Sequence, residues 1–397
     1  MRRHYFTSES VSSGHPDKIC DQISDAILDE FMLQDFNAKV ACECFITNNL
    51  LVIGGEAHST ATVDIIGTAK RVLEKIGYDG TNGFNPETAV FVNTLHEQSP
   101  DIRQGVERPE EEQQGAGDQG IMFGYATNET DVLMPLPIML ANLTMEEYDR
   151  LRKETLYMMP DAKCQYTVLY EDEKPIKIDT IVLSMQHKEE ADRKYIEMFA
   201  DSLLKFVFER NPEYAKYYDN PKILINPTGR FVIGGPEGDT GLTGRKIVVD
   251  TYGGMCPHGG GAFSGKDPSK VDRSAAYYAR YIAKNLVFAG VADSITVQLS
   301  YGIGIAEPIS AHVYGNLYYS EDVICRLIRE VFNPTPYNII KSLHLKEFPR
   351  YAPTATYGHF GNVYYPWEEL DKHNEIKNWL IKNVIVTAKY DEEIKVF

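Results

Sequence analysis

The chain has 397 residues, with 40 Lys+Arg against 57 Asp+Glu and a formal net charge of −17. That balance excludes a nucleic-acid binder held by a generally basic surface. With 43% hydrophobic and 24% charged residues the composition is that of a soluble globular protein, and at roughly 150 residues per domain the length suits two or three domains. No apolar run approaches the roughly 20 residues of a membrane span, and no secretory signal is visible in MRRHYFTSES. The cysteines (Cys20, Cys42, Cys44, Cys164, Cys256, Cys325) are too sparse for a disulfide framework and none has zinc-like spacing. Reduced thiols in a cytoplasmic protein are the expectation.

Three segments repeat one order of elements: helix, two strands, helix. In the first, Pro16 to Phe36 carries Ile19, Ile23, Ile27 and Phe31 on one helical face. Strands Lys39 to Ile46 and Leu50 to His58 follow around the turn Thr47-Asn48-Asn49, then a helix from Val63 to Ile76. In the second, a helix from Met145 to Leu156 precedes strands near Cys164 to Tyr170 and Ile176 to His187, then a helix from Asp192 to Phe208. The third has a helix from Pro268 to Phe288, strands near Ile295 to Tyr301 and Ile309 to Val313, then a helix from Glu321 to Phe332. First strands open near residues 39, 164 and 295, a nearly even spacing. The pattern predicts three related α+β units with antiparallel hairpins; chance recurrence of a common element order is the alternative. Each sheet would be covered by its helices on one face, leaving an apolar face for a partner such as a second copy of the chain.

Glycine-rich segments lie between the units: Gly115 to Gly124, Gly229 to Gly265, and Tyr357-Gly358-His359-Phe360-Gly361. Such loops suit close backbone approach to a ligand. Ser99 to Gln114, with two prolines and Glu110-Glu111-Glu112, is aperiodic and reads as a mobile loop or a plain solvated linker. Gly115 to Gly120 matches GxGxxG, but neither a preceding strand nor a following helix frames it, which argues against a dinucleotide fold. Gly260 to Lys266 matches GxxxxGK with Asp267 where a P-loop needs Ser or Thr. What remains is a glycine loop, a lysine, and Asp267-Pro268 at an expected N-cap and first helical position. A helix N-terminus carries about half a positive charge, so the glycine amides, Lys266 and Lys270 form a polyphosphate cradle.

From Arg245 to Lys284 seven basic residues face three acidic ones, a net of +4. In an acidic chain an unpaired cationic cluster beside glycine loops argues for an anionic ligand with more than one phosphate. A solvated helix face is the plainer reading and suits Arg280 and Lys284. Gly14-His15-Pro16-Asp17-Lys18 is a second helix start, at which His15 either simply caps or does more. Asp17 projects a carboxylate suited to a Mg²⁺–phosphate bridge. Glu43 and Glu56 lie in alternating strands, facing solvent or binding a cation or ammonium group. No protein nucleophile stands out, so an enzyme here would take its nucleophile from the substrate.

Three motifs carry a resemblance: Gly14 to Lys18, the loop Gly115-Ala116-Gly117-Asp118-Gln119-Gly120-Ile121-Met122-Phe123-Gly124, and Gly259 to Arg273. With them the chain resembles the S-adenosylmethionine synthetase family over essentially its whole length. The resemblance implies an α+β fold of three similar domains, mostly antiparallel sheets with helices on one face, divided here as 1–100, a flexible active-site loop 101–114, 115–233 and 234–397. It implies adenosyl transfer from ATP to L-methionine, by attack of sulfur on C5′, followed by hydrolysis of the triphosphate to phosphate and diphosphate. By the family's motifs His15 would assist the leaving oxygen. Arg245, Lys246, Lys266, Lys270 and Lys163 would neutralise the polyphosphate. Asp161, Arg230, Phe231, Asp239 and Ala262 would lie against the nucleotide, and Glu56, Gln98, Asp118, Asp239 and Lys270 near methionine. Asp17 and Asp272 would hold two Mg²⁺ ions, and Glu43 with Ser264 a K⁺ ion. Residues 99–114 would gate the site. The partners implied are ATP and L-methionine, with neither nucleic acid nor membrane, and a homo-oligomer, commonly a dimer of dimers with sites between subunits. A phosphotransferase or NTPase using the Gly260 to Lys270 cradle, and a catalytically dead nucleotide-binding assembly protein, are the competing readings. The stretch Gly254 to His258 looks less standard for the family and touches none of these roles.

Overall fold

The structure is a computed structural model that describes residues 2–81, 83–99 and 110–394. In chain order, strand β1 (Arg3–Val11) leads into helix α1 (Pro16–Gln34), β2 (Lys39–Thr47), β3 (Leu50–His58) and α2 (Ile65–Ile76), then short strands β4 (Val90–Asn93) and β5 (His96–Glu97). Strand β6 (Gly120–Thr127) opens a second series: α3 (Leu136–Arg152), β7 (Met158–Glu171), β8 (Lys174–His187), α4 (Arg193–Arg210) and β9 (Lys222–Ile225). A two-residue strand, β10 (Gly241–Leu242), and the single turn α5 (Ile247–Asp250) precede α6 (Val271–Phe288), β11 (Ala292–Tyr301), β12 (Ser310–Leu317) and α7 (Glu321–Leu327). Helices α8 (Pro336–Ser342) and α9 (His373–Ile394) follow.

The three helix-strand-strand-helix units are present, and their predicted hairpins pair in register: Thr47↔Leu50 in β2–β3, Glu171↔Lys174 in β7–β8, Val297↔Val313 in β11–β12. Two helix starts and the leading strands differ from expectation. Helix α3 starts at Leu136 rather than Met145, and β1 and β6 had no counterpart in the sequence reading. Helix α6 starts at Val271, with Lys270 as its N-cap residue. Asp267 does not cap it, because its carboxylate accepts from Val40 N at 2.9 Å and Ser269 N at 2.9 Å.

Each sheet takes one strand from another unit. The strand before α1 joins the second sheet, in the order β1-β7-β8-β9; the strand before α3 joins the third, β12-β11-β6; and the strand before α6 joins the first, β10-β2-β3-β4. In every sheet the borrowed strand lies antiparallel on the first strand of the hairpin. This cyclic exchange ties the units together, since no sheet is complete without chain from a neighbour. The sheets are mostly antiparallel; β9 on β8, and β4 and β5 on β3, are parallel.

Helices cover one face of each sheet: α1 lies on β2, α3 on β1 and β7, α6 on β6 and β11. The predicted stripe Ile19, Ile23, Ile27 and Phe31 is buried in this layer. The other faces stay open, with Tyr5, Val90, Val92 and Ile121 exposed. Arg280 and Lys284, expected on a solvated face, are instead buried, because α6 is packed by β6 and β11 and also by the 366–368 turn. Both hold the Glu368 carboxylate, at 2.9 and 2.7 Å. All six cysteines are free thiols. No described helix is long and apolar enough to cross a membrane.

Candidate active site

The site is built on the first turns of α1. His15 is the N-cap residue and Pro16 follows at the first helical position, where a missing N–H costs nothing. The His15 Nδ1 accepts from Asp17 N at 3.2 Å, so it does cap the helix. That bond assigns the tautomer: with Nδ1 as acceptor, the neutral ring carries its proton on Nε2. His15 is 1% exposed, and burial, followed by the nearby charges of Lys246, Lys163, Lys18 and Arg245, holds it well below the usual 6.5. The ring is therefore a neutral donor in a cationic field.

Along α1, Asp17, Asp21, Asp25 and Asp29 recur every fourth residue, an arrangement unfavourable on a solvated helix. Each is buried and answered from distant chain. Asp17 accepts from Leu242 N (2.9 Å) and Lys246 Nζ (2.5 Å), with Arg245 at 3.6 Å. Asp21 accepts from Gly244 N (2.9 Å) and Lys18 Nζ (3.0 Å). Asp25 accepts from Gly265 N (2.7 Å) and takes Arg273 in a bidentate pair at 2.6 and 2.9 Å. Asp29 accepts from Tyr351 N (2.6 Å) and Ala352 N (3.0 Å). One acidic stripe thus fixes both glycine loops, 241–246 and 260–266, against the same helix.

The loops also meet one another and β2. A Cβ on Gly244 would lie 2.4 Å from Ala262 Cβ, and one on Gly265 would lie 1.9 Å from Cys42 O, so these close approaches require glycine. Cys42 N donates to Gly265 O at 3.0 Å and Lys266 bridges Ala41.

Two groups of predicted residues result. In the first, His15 and Asp17 are joined by Arg245 and Lys246, with the exposed Lys163 close enough to act on His15. Asp161 adjoins them: its Oδ2 accepts from Gly235 N at 2.9 Å and its buried Oδ1 has no partner among the described residues. Burial lifts Asp161 to about 6, with Asp239 adding to the rise while Gly235 N–H and Lys163 oppose it. Gln186 accepts from Asp161 N at 3.2 Å and packs near Gly234, which also touches the Phe231 ring. Arg230 lies farther out, paired with Glu189 at 2.8 Å.

In the second group, Lys266 Nζ donates to Asp272 at 2.7 Å, and Lys270 is partly buried at the α6 N-cap. Ser264 is buried with its Oγ unpartnered among the described residues. Glu43 and Glu56 share the open face of the first sheet, Glu43 exposed opposite Gly54 and Glu56 opposite Ala41. Gln98 is buried at the end of β5, its N–H donating to Ala57 O. Asp118 is exposed in the loop before β6, and Gly120 opens a strand rather than a helix, which removes the dinucleotide reading. Among the described residues no hydrogen bond or ion pair joins the first group to the second. The sequence suggested an unpaired cluster, but Arg245 and Lys246 are held by Asp17 and Lys266 by Asp272, in place of an anion. Residues 100–109 of the expected gate lie outside the described residues.

Among the described residues no three His, Cys, Asp or Glu converge as a metal cage. Lone carboxylates beside cations, as at Asp17 and Asp272, fit a divalent ion that completes its shell with phosphate oxygens and water. The orphan Ser264 hydroxyl adjoins the Gly265–Cys42 contact, next to Glu43, and offers oxygen to a larger monovalent ion.

Comparison with family models accounts for nearly the whole length. The N-terminal domain of S-adenosylmethionine synthetase matches residues 3–100, its central domain 113–231 and its C-terminal domain 233–369. The chain belongs to the S-adenosylmethionine synthetase family. It is a methionine adenosyltransferase, and the family makes S-adenosylmethionine from ATP and methionine with the help of metal ions.

The supporting residues of this family member escaped the sequence reading. Asp21, Asp25, Gln186 and Asp250 hold the site without being signature residues. The signal for the first two was the four-residue carboxylate spacing on α1. None marked Gln186 or Asp250, whose partners are Asp161 and Lys18.

Proposed function

We propose that the methionine sulfur attacks C5′ of ATP, forming the S–C5′ bond as the C5′–O bond breaks and its electron pair leaves with the triphosphate. Water then hydrolyses the triphosphate to phosphate and diphosphate. One observation carries this reading: a buried neutral imidazole, His15, whose Nε2–H is free to donate to the departing oxygen, surrounded by Lys163, Arg245 and Lys246. No protein nucleophile is needed; alignment and charge stabilisation supply the catalysis.

In this reading Lys266 and Lys270 complete the polyphosphate contacts and Lys270 also faces methionine. Asp161, Arg230, Phe231, Asp239 and Ala262 receive the nucleotide, and Glu56, Gln98, Asp118 and Asp239 the amino acid. Asp17 and Asp272 would each hold Mg²⁺, and Glu43 with Ser264 K⁺; bound cations neutralise the triphosphate. The two residue groups come from different chains of a homodimer, two of which form the tetramer. That agrees with the open sheet faces and with the lack of described bonds between the groups. The units divide at 1–100, 101–114, 115–233 and 234–397, the 101–114 segment serves as gate, and the protein works in the cytoplasm.

Incubation with ATP, methionine, Mg²⁺ and K⁺ should yield the sulfonium product with equal phosphate and diphosphate. ADP as the product would overturn the reading in favour of phosphoryl transfer. In the same assay Lys266→Met should fold normally and lose more than about tenfold in rate, about 1.4 kcal/mol in the barrier.

A further inference from the structure

We propose that the cavity between α3 and residues 353–365 is an accessory site for a small organic cation, linked through Tyr357 to the first turn of α1. The cavity measures about 530 Å³, within the range of small-molecule sites. None of its lining residues has a role in the reaction. Four are aromatic, Tyr357, Phe360, Tyr364 and Tyr365, and their electron-rich faces attract cations. Glu146 is the one carboxylate among them, and no lysine or arginine lines the space. Arg150 and Arg210 lie behind the wall, ion-paired with the neighbouring Glu147, and Arg210 is also within charge reach of Glu146. Asn142 supplies a second polar group. It is 3% exposed, its Oδ1 accepts from Ser10, and its Nδ2 has no partner among the described residues. Tyr364, 89% exposed at the rim, has no packing role that accounts for it. Aromatic faces and one carboxylate, with no cation among the lining residues, select a positively charged ligand of ammonium or sulfonium type.

The link runs through one strained residue. Tyr357 has φ 59, a left-handed conformation that bulky side chains rarely adopt and that surrounding contacts must enforce. Its hydroxyl donates to Asp149 Oδ2 at 2.7 Å, and the same oxygen accepts from Ser13 N at 2.7 Å. Ser13 leads directly through Gly14 to His15. A ligand pressing on the Tyr357 ring therefore acts on the carboxylate that anchors the entry to α1. The link, unlike the binding, rests on His15 belonging to the reacting centre, so the two are measured separately.

The test is calorimetric titration of the full-length protein with choline, and with 3,3-dimethylbutan-1-ol as its neutral counterpart of the same shape. Choline should bind saturably and at least about tenfold tighter than the alcohol. Glu146→Gln and Tyr364→Ala should each weaken it about threefold or more, and saturating methionine with a non-hydrolysable ATP analogue should leave it unchanged. Equal binding of the neutral compound, no saturable binding, or displacement by the substrates would overturn the site. In steady-state assays choline should shift kcat of the unmodified protein, a kinetic effect that does not require the substrates to alter choline binding. Tyr357→Phe should keep choline binding and lose the shift; binding without any kinetic shift would overturn the link.

Discussion

At the scale of single residues, His15 shows how a capping position becomes a chemical one. The cap consumes Nδ1, burial and surrounding ammonium groups keep the ring neutral, and Nε2–H is left to donate. The sequence could place His15 at a helix start, but its charge state depends on Lys163, Arg245 and Lys246, more than a hundred residues away. The depressed affinity for protons has a measurable consequence. Below pH 6.5 the unfolded ring takes up a proton that the native ring refuses, so stability is complete above that value and is lost as pH falls toward the native value. Each pH unit in that window is worth about 1.4 kcal/mol. Urea unfolding at about pH 7.5 and about pH 5.5 should show a smaller acid loss for His15→Asn than for the unmodified chain. Identical losses would mean that the ring is not held neutral.

At the scale of elements, α1 does two jobs with two stripes. Its apolar stripe, legible from the spacing of Ile19, Ile23 and Ile27, seats the helix on β2. Its acidic stripe receives both glycine loops, and that was not legible, because the partners are backbone N–H groups of Leu242, Gly244, Gly265 and Tyr351 that any residue would possess. The strongest of these contacts is the buried Asp25–Arg273 pair. Removing one member strands the other charge in the interior, so Asp25→Ala should destabilise by roughly 3–5 kcal/mol. Thermal and urea melts measure it; a loss under about 1 kcal/mol would show that Arg273 finds another partner and that the stripe is not the anchor. The same competition moved the start of α6, since Asp267 binds Val40 N rather than capping the helix.

At the scale of the whole molecule, the cyclic exchange of β1, β6 and β10 makes the units interdependent, while the open sheet faces expose Tyr5, Val90, Val92 and Ile121 among polar and charged residues. Phe45 stands on the open face of β2 beside Val52, on the same face as Glu43 and Glu56. In solution the protein should have a multiple of the single-chain mass by light scattering. Phe45→Glu should reduce that mass and lower turnover by more than about a hundredfold with unchanged circular dichroism. A fully active single chain would sink the two-chain site.

The sequence by itself determined the class of the fold, the three hairpins, the helix faces and the residues of the signature motifs, because those follow from local periodicity and from short contiguous stretches. Only the tertiary structure decided which sheet each leading strand joins, that Arg280 and Lys284 are buried on Glu368, and that Arg245, Lys246 and Lys266 are held by Asp17 and Asp272. The reason is physical: strand pairing, burial and ion pairing depend on what lies opposite, and here the opposite group of an ion pair is separated by as many as 248 residues, as in Asp25 and Arg273.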